Sequence, residues 1–185
     1  MAFRGFAAVE VGEQPALQAR LTELRALGAD LKVVAPENLH LTLKFLGEVP
    51  DGKTSAVETA LREAAAGVAP FTMDLVGLGT FPPRGAPRVV WAGVQGAEPL
   101  TQVATRFETA ARALGFAREE RAFSPHVTLA RARSPRGKED VIRFVQAHRD
   151  EPLGEVRVEE LRLMRSELRP TGPVYTPVLT VRLEA

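Results

Sequence analysis

The order of predicted secondary-structure elements repeats along this chain, and the repeat restricts the fold more than any other feature. Hydrophobic periodicity predicts strand, helix, strand, helix and strand, then the same order again after a glycine- and proline-rich loop, with one further strand at the end. The predicted strands cover residues 3–11, 40–49, 71–78, 88–94, 123–132, 156–164 and 175–183, and the predicted helices cover residues 15–28, 53–66, 100–114 and 139–147. We therefore expect a duplicated α+β unit.

Composition excludes several functional classes. The 185 residues include 24 basic and 23 acidic side chains, which does not fit a histone-like coat for nucleic acid. The absence of cysteine excludes a disulfide scaffold, a zinc ribbon, an iron–sulfur cluster and a thiol nucleophile. No signal-peptide pattern and no run of eighteen apolar residues is present. We expect a cytoplasmic protein that does not enter a membrane.

Two matched motifs stand at corresponding places in the two halves. Of the three histidines, His40 and His126 are each followed two residues later by a threonine, Thr42 and Thr128, with aliphatic residues between and after them. Because side chains alternate across a strand, each motif presents an imidazole and a hydroxyl on one face. If the halves pack about a pseudo-twofold axis, these faces meet across a cleft.

Two facing imidazoles suit a reaction in which one group removes a proton and the other supplies one, since an ordinary histidine pKa leaves both forms available near neutrality. Cleavage of a phosphodiester is such a reaction, with threonine hydroxyls on the nonbridging oxygens. A single strand histidine is usually structural, but two in matched motifs favour catalysis. A zinc site needs three or four ligands, so we expect no metal.

The residues around these motifs resemble a known family. Residues 36–47 (PENLHLTLKFLG) and 125–131 (PHVTLAR) are similar to the two HxTx signatures of the 2H phosphoesterase superfamily. The specific resemblance is to the bacterial and archaeal RNA 2′,3′-cyclic phosphodiesterases, also called 2′-5′ RNA ligases. Similar features are Phe6-x-Ala8, Gly79-x-Phe81-Pro82, Trp91, Gly115-Phe116, Ser166-x-Leu168 and Gly172-Pro173-x-Tyr175. One departure is Val33-Val34, where similar proteins often carry tryptophan, a change that bears on base stacking.

The resemblance implies a bilobal α+β fold with antiparallel sheets around a central cleft and helices on the outer faces. We expect a single two-lobed domain over residues 1–185. Residues 1–87 and 88–185 would contribute roughly one lobe each, with an exchange of strands between them left open.

The resemblance also implies hydrolysis of RNA 2′,3′-cyclic phosphate ends to 2′-phosphate ends, and a reversible, ATP-independent joining of RNA ends through a 2′-5′ linkage. His40 would protonate the departing 3′ oxygen and His126 would activate water. Chemistry alone does not orient the pair. Expected partners are RNA with 2′,3′-cyclic phosphate or 5′-hydroxyl ends and nucleotides, and no cofactor is expected.

Three further residues are candidates for substrate binding. Lys44 lies an even number of residues after His40, so on a regular strand both side chains share one face. It then either contacts a phosphate in the cleft or is a solvated lysine at the strand end. Arg131 has the opposite parity to His126 and reaches the cleft only if the strand bulges or ends near Ala130, although the resemblance favours phosphate binding there. Tyr175, after a Gly-Pro loop, is the aromatic residue expected to meet the ligand.

Local charge agrees with a polyanion near the second motif. Residues 118–138 carry six basic and two acidic side chains, which suits phosphate binding but also suits a solvated arginine-rich loop. Two other functions stay open: a noncatalytic module for RNA ends or nucleotides, and a phosphodiesterase of small cyclic nucleotides or 2′-5′ oligonucleotides. In the absence of an apolar surface stripe, we expect a monomer.

Overall fold

A computed structural model describes all residues from Met1 to Ala185, with four helices and nine strands. The strands are β1 (Ala2–Glu10), β2 (Leu31–Val33), β3 (His40–Pro50), β4 (Phe71–Phe81), β5 (Val89–Gln95), β6 (His126–Ala132), β7 (Pro152–Val158), β8 (Glu160–Arg169) and β9 (Gly172–Arg182). The helices are α1 (Pro15–Ala26), α2 (Thr54–Ala65), α3 (Glu98–Ala113) and α4 (Lys138–Ala147). No helix is both long enough and apolar enough to cross a bilayer.

All nine strands belong to one antiparallel sheet. Its order is β7-β4-β5-β6-β3-β1-β8-β9, and β2 pairs with β6 beside this path. The two strands that carry the histidine motifs, β3 and β6, are adjacent but share only the pair Leu41 and Val127. Two half-sheets therefore meet along a narrow seam between β3 and β6. The expected antiparallel α+β fold is confirmed.

The sheet is strongly curled. Strand β7 lies at one end of the strand order and β8 lies near the other end, yet only Glu159 separates them in the chain. Because one residue spans less than 4 Å, the two ends of the sheet must approach each other. The curl leaves a concave face, to which both motifs contribute.

The helices cover the opposite, convex face. Helices α2 and α3 pack on the half-sheet that contains β3 and β9, while α1 and α4 pack on the half-sheet that contains β4 and β7. Leu41, Leu43, Val127 and Leu129, the apolar residues of the two motifs, are buried in the main core with these helices. Burial of the apolar face fixes the register, because a slip by one residue would turn the whole core set toward solvent.

The strand predicted over residues 156–164 is wrong, because it is two strands. Strand β7 ends at Val158 and pairs with β4, whereas β8 begins at Glu160 and pairs with β1. The sequence does carry a sign of this break, because the alternation of buried residues shifts by one position. Val156 and Val158 are buried at even-numbered positions, and Leu161 and Leu163 are buried at odd-numbered positions. The short strand β2 was also missed, because three residues give no readable period.

Candidate active site

The floor of the cleft is a row of paired residues on β1 and β3. Phe6, Ala8 and Glu10 alternate on one face of β1, and their partners across the ladder are Phe45, Thr42 and His40. Phe6 and Ala8 pack with Met164 and Tyr175 in a small cluster separate from the main core. Alternation on β1 therefore places these side chains on the concave face, away from the helices.

Both histidines are held by the same contact. The Nδ1 atom of His40 lies 2.7 Å from the carbonyl oxygen of Asn38, and the Nδ1 atom of His126 lies 2.8 Å from that of Ser124. A carbonyl oxygen can only accept, so Nδ1 carries a proton in both rings and donates it. In a neutral imidazole of this tautomer, Nε2 is the free basic atom. Both rings therefore leave Nε2 free of the backbone contact.

The seam sets the two motifs across from each other. With Leu41 opposite Val127 in antiparallel register, the position of His40 faces that of Thr128, and the position of Thr42 faces that of His126. Each histidine thus stands next to the threonine of the other motif. Both threonines are half-buried.

An aromatic ring meets each imidazole at a right angle. Tyr175 contacts His40 at 5.3 Å between ring centroids with an interplanar angle of 90°, and Phe81 contacts His126 at 5.2 Å and 88°. Phe6 lies 4.9 Å from His40 on a third side. These contacts fix the ring planes and leave a wall of aromatic surface on each side of the cleft.

The environment of His40 favours its neutral form. Burial is the main cause of a lowered pKa for His40, and the positive charge of Arg131 lowers it further. The hydrogen bond to Asn38 and the carboxylate of Glu10 act in the opposite direction without reversing the shift. The charge of His126 also lowers the pKa of His40, as expected for two imidazoles that share a cleft.

A β-bulge brings Arg131 to the cleft face. Thr128 pairs with Trp91 and Ala130 pairs with Val90, so Leu129 is an extra residue in β6. One inserted residue reverses the alternation, and Arg131 therefore shares the face of Thr128. Its charge acts on both His40 and Tyr175 across the cleft. The sequence makes the approach of Arg131 to the cleft depend on such a bulge, and the bulge is present.

The corresponding bulge in β3 turns Lys44 away. Thr42 pairs with Ala8 and Lys44 pairs with Ala7, which makes Leu43 the extra residue. Lys44 consequently lies on the helix face, where its Nζ atom forms an ion pair with Glu108 and donates to the carbonyl of Ala117 at 3.0 Å. The prediction that Lys44 lies on the same face as His40 is therefore wrong, because this bulge reverses the alternation. Lys44 faces neither the cleft nor bulk solvent.

Phe45 takes the position that strand parity gave to Lys44. Its side chain is 58% exposed and lies 6.0 Å from Phe6 between centroids. In the second motif the equivalent position is two residues after the extra residue Leu129, and Arg131 occupies it. The two halves of the site therefore differ at this position, with an aromatic ring on one side and a guanidinium on the other.

Two charged residues of the cleft floor were missed by the sequence analysis. Glu10 is the ladder partner of His40, and its carboxylate lies 3.0 Å from a guanidinium nitrogen of Arg162 on β8. Arg162 also donates to Glu160 at 2.7 Å. The alternation Phe6, Ala8, Glu10 within β1 was the signal that could have found the carboxylate. No group of three or more potential ligands is arranged to hold a metal ion.

Comparison with known proteins finds matches along most of the chain. A model of the 2′-5′ RNA ligase superfamily matches residues 13–170. A protein from Methanothermobacter thermautotrophicus, named RNA 2′,3′-cyclic phosphodiesterase, is 36% identical over 185 residues, which is 99% of this chain and 100% of that protein. A protein of the same name from Archaeoglobus fulgidus is 38% identical over 174 residues, covering 93% of this chain and 96% of that protein.

Solved structures share the fold over the whole chain. E. coli LigT complexed with 3′-AMP superposes with a TM-score of 0.76 at 29% identity and covers 100% of both chains. A protein from Thermus thermophilus superposes with a TM-score of 0.75 at 33% identity over 97% of each chain. The overall fold is therefore shared with these solved structures.

Proposed function

Because the chain belongs to the 2′-5′ RNA ligase superfamily, we propose that it hydrolyses RNA 2′,3′-cyclic phosphate ends to 2′-phosphate ends by acid/base catalysis with His40 and His126. The observation that carries the proposal is the pair of equivalent imidazoles, each with Nδ1 bound to a backbone carbonyl and Nε2 free. The relatives named RNA 2′,3′-cyclic phosphodiesterase support the choice of substrate.

In the forward reaction, the neutral imidazole of His126 takes a proton from water at Nε2 while the water oxygen attacks phosphorus. The bond from phosphorus to the 3′ oxygen breaks, and protonated His40 donates its Nε2 proton to that oxygen, so no alkoxide has to leave. The 2′ ester bond remains. Thr42 and Thr128 donate hydrogen bonds to the nonbridging oxygens, whose charge grows in the transition state.

The lowered pKa of His40 couples its protonation to substrate binding. In the empty cleft, burial and Arg131 favour the neutral ring, which cannot act as an acid. A cyclic phosphate placed between the two histidines brings a negative charge, which offsets Arg131 and favours the imidazolium. His40 would therefore become an effective acid once the substrate has entered.

The same residues can also join two RNA ends. If a 5′-hydroxyl replaces water at the cyclic phosphate, His126 is again the base and His40 again the acid, and the product is a 2′-5′ linkage. Microscopic reversibility makes its cleavage use the two histidines with exchanged roles. This ligation consumes no ATP, because the strained cyclic phosphate supplies the leaving group.

The test is incubation of the protein, with EDTA present, on an RNA oligonucleotide that ends in a 2′,3′-cyclic phosphate. The variants are His40→Gln and His126→Gln, and the matched control is His148→Gln. His148 lies outside the cleft, where its Nδ1 atom contacts Glu151 at 2.5 Å. Product phosphate position is read by ³¹P NMR.

We expect the wild type and the control to form the 2′-phosphate, and each cleft variant to lose about 10²–10⁴-fold in kcat while RNA binding persists. Binding without turnover by the wild type would reject the proposal in favour of a noncatalytic module for RNA ends. Faster turnover of small cyclic nucleotides or of 2′-5′ oligonucleotides would reject RNA ends as the substrate. Turnover that is seen only in a parallel incubation without EDTA would reject metal-free chemistry.

A further inference from the structure

A third row of polar side chains continues along the seam beyond the two histidine–threonine rows. Where β3 leaves β6, the short strand β2 takes its place on the same edge, with Lys32 opposite Arg131. The backbone bond from Val34 N to Leu129 O, at 2.8 Å, joins β2 to β6 at the bulge. The rows along the seam are therefore Thr42 with His126, His40 with Thr128, and then Lys32 with Arg131.

The third row places two like charges directly opposite each other across the strand pair. Opposed residues on one face of an antiparallel pair stand about 5 Å apart at Cβ, and like charges there destabilise the pair. Lys32 and Arg131 are both exposed, and neither forms an ion pair with a carboxylate. By contrast, Arg136 in the following turn is paired with Asp30. The positive charge of the third row is left uncompensated by the protein itself.

The position of this row relates it to the reacting phosphate. From Thr128 to Arg131 there are three residues with one bulge, so the third row stands about 7–10 Å along the seam from the second. Arg131 reaches inward, because its charge acts on both His40 and Tyr175. Lys32 is exposed and lies directly opposite Arg131 on β2, so the two side chains share one face of the sheet.

We propose that Lys32, together with Arg131, binds the phosphodiester that joins the terminal nucleotide of the RNA to its 5′ neighbour. The inference rests on the proposed function and adds the size of the substrate: the site takes an oligonucleotide end in preference to a nucleoside 2′,3′-cyclic phosphate. An anion in this row relieves the repulsion between the two cations, which is why affinity would come from a phosphate and not from a base.

The test measures kcat/KM on two substrates, a nucleoside 2′,3′-cyclic phosphate and a trinucleotide with the same cyclic end. The variants are Lys32→Gln and Lys32→Arg, and the control is Lys138→Gln, a lysine at the start of α4. We expect Lys32→Gln to lower kcat/KM on the trinucleotide about tenfold, through KM, and to leave the nucleoside substrate within about twofold. Lys32→Arg retains most of the activity, and Lys138→Gln changes neither substrate.

Salt dependence gives a second readout. The slope of log(kcat/KM) on the trinucleotide against log[salt] should become less negative by about 1 in Lys32→Gln. An equal loss on both substrates, or no loss on the trinucleotide, would overturn the inference while leaving the proposed function intact. If the wild type turned over neither substrate, the proposed function itself would fail.

Discussion

Lys44 of β3 and Glu108 of α3 form an ion pair on the face of the sheet opposite His40. The lysine side chain is only 2% exposed, and its Nζ atom also donates to the carbonyl of Ala117. Glu108 in turn accepts from the backbone N–H of Glu119 at 2.8 Å. The pair therefore links the first motif strand to the segment that leads into the second.

Removal of this lysine should affect stability far more than chemistry. In Lys44→Met, Glu108 loses its buried partner, and we expect the free energy of unfolding to fall by about 2–4 kcal/mol in urea titrations. Lys32→Gln, an exposed strand lysine, should change it by less than about 0.5 kcal/mol. The folded fraction of Lys44→Met should keep kcat within a few fold. Lost turnover at unchanged stability would instead place Lys44 at the substrate.

The same pair predicts a loss of stability in acid. Burial favours the neutral carboxyl of Glu108, but the hydrogen bonds from Lys44 and from the N–H of Glu119 outweigh burial and leave its pKa lowered. A lowered folded pKa means that the contribution to stability is present above the unfolded value and disappears as pH falls through the folded value. Urea titrations between pH 7 and pH 3 should therefore show a smaller acid loss in Glu108→Gln than in the wild type. Equal losses would contradict this.

The charge of Arg131 should be visible in the titration of His40. Because burial and then Arg131 lower the pKa of His40, its imidazole should titrate below the ordinary value in histidine NMR spectra. Arg131→Gln should raise the pKa of His40, and Arg133→Gln, at the end of the same segment, should leave it in place. An unchanged His40 pKa in Arg131→Gln would mean that the guanidinium does not face the cleft.

The same lowered pKa gives a stability test with a definite sign. The unfolded chain binds a proton at His40 more readily than the folded one, so stability from this group falls as pH drops below the unfolded pKa of about 6.5. Comparison of the wild type with His40→Gln at pH 7.5 and pH 5.5 should show the larger decrease in the wild type. A larger decrease in the variant would reverse the assignment.

Gly79 should be intolerant of a side chain because Trp91 lies on it. A Cβ atom at Gly79 would stand 2.2 Å from the indole ring, which itself packs 5.4 Å from Phe81 between centroids. Gly79→Ala should therefore move Trp91 and Phe81, the ring that contacts His126, and lower kcat/KM at least tenfold. Trp91 is the only tryptophan, so its fluorescence reports the displacement directly. Gly52→Ala, which meets open space, serves as the control and should change neither signal.

Much of the architecture could be predicted from the sequence, because the spacing of apolar residues predicts the helices and strands and residues such as glycine mark where they end. Helix α1 shows its apolar spacing in Leu17, Leu21 and Leu24, and Gly28 comes just after its end with a φ of +73°. The pairing of distant strands, such as β8 with β1, leaves no such local trace. That pairing is decided by the packing of the whole curled sheet.

The sequence could not predict which face of the sheet a side chain occupies when it follows a β-bulge. Leu43 and Leu129 have the pattern of ordinary core positions, and nothing local marks them as extra residues. Each reverses the parity of the residues after it, so Lys44 turned inward to the helices and Arg131 turned to the cleft. His40 and His126 precede the bulges, which is why alternation placed them on one face.

The unequal residues after the two bulges give the cleft a direction. A perfectly duplicated site would have twofold symmetry and would receive a polynucleotide equally well in either sense. Phe45 offers a ring on one side, while Arg131 offers a positive charge on the other. Under the proposed function, an RNA strand has its bases and phosphates in fixed order from 5′ to 3′, so only one polarity would place a base at Phe45 and a phosphate at Arg131. The two duplicated halves thus present chemically different ends of the cleft.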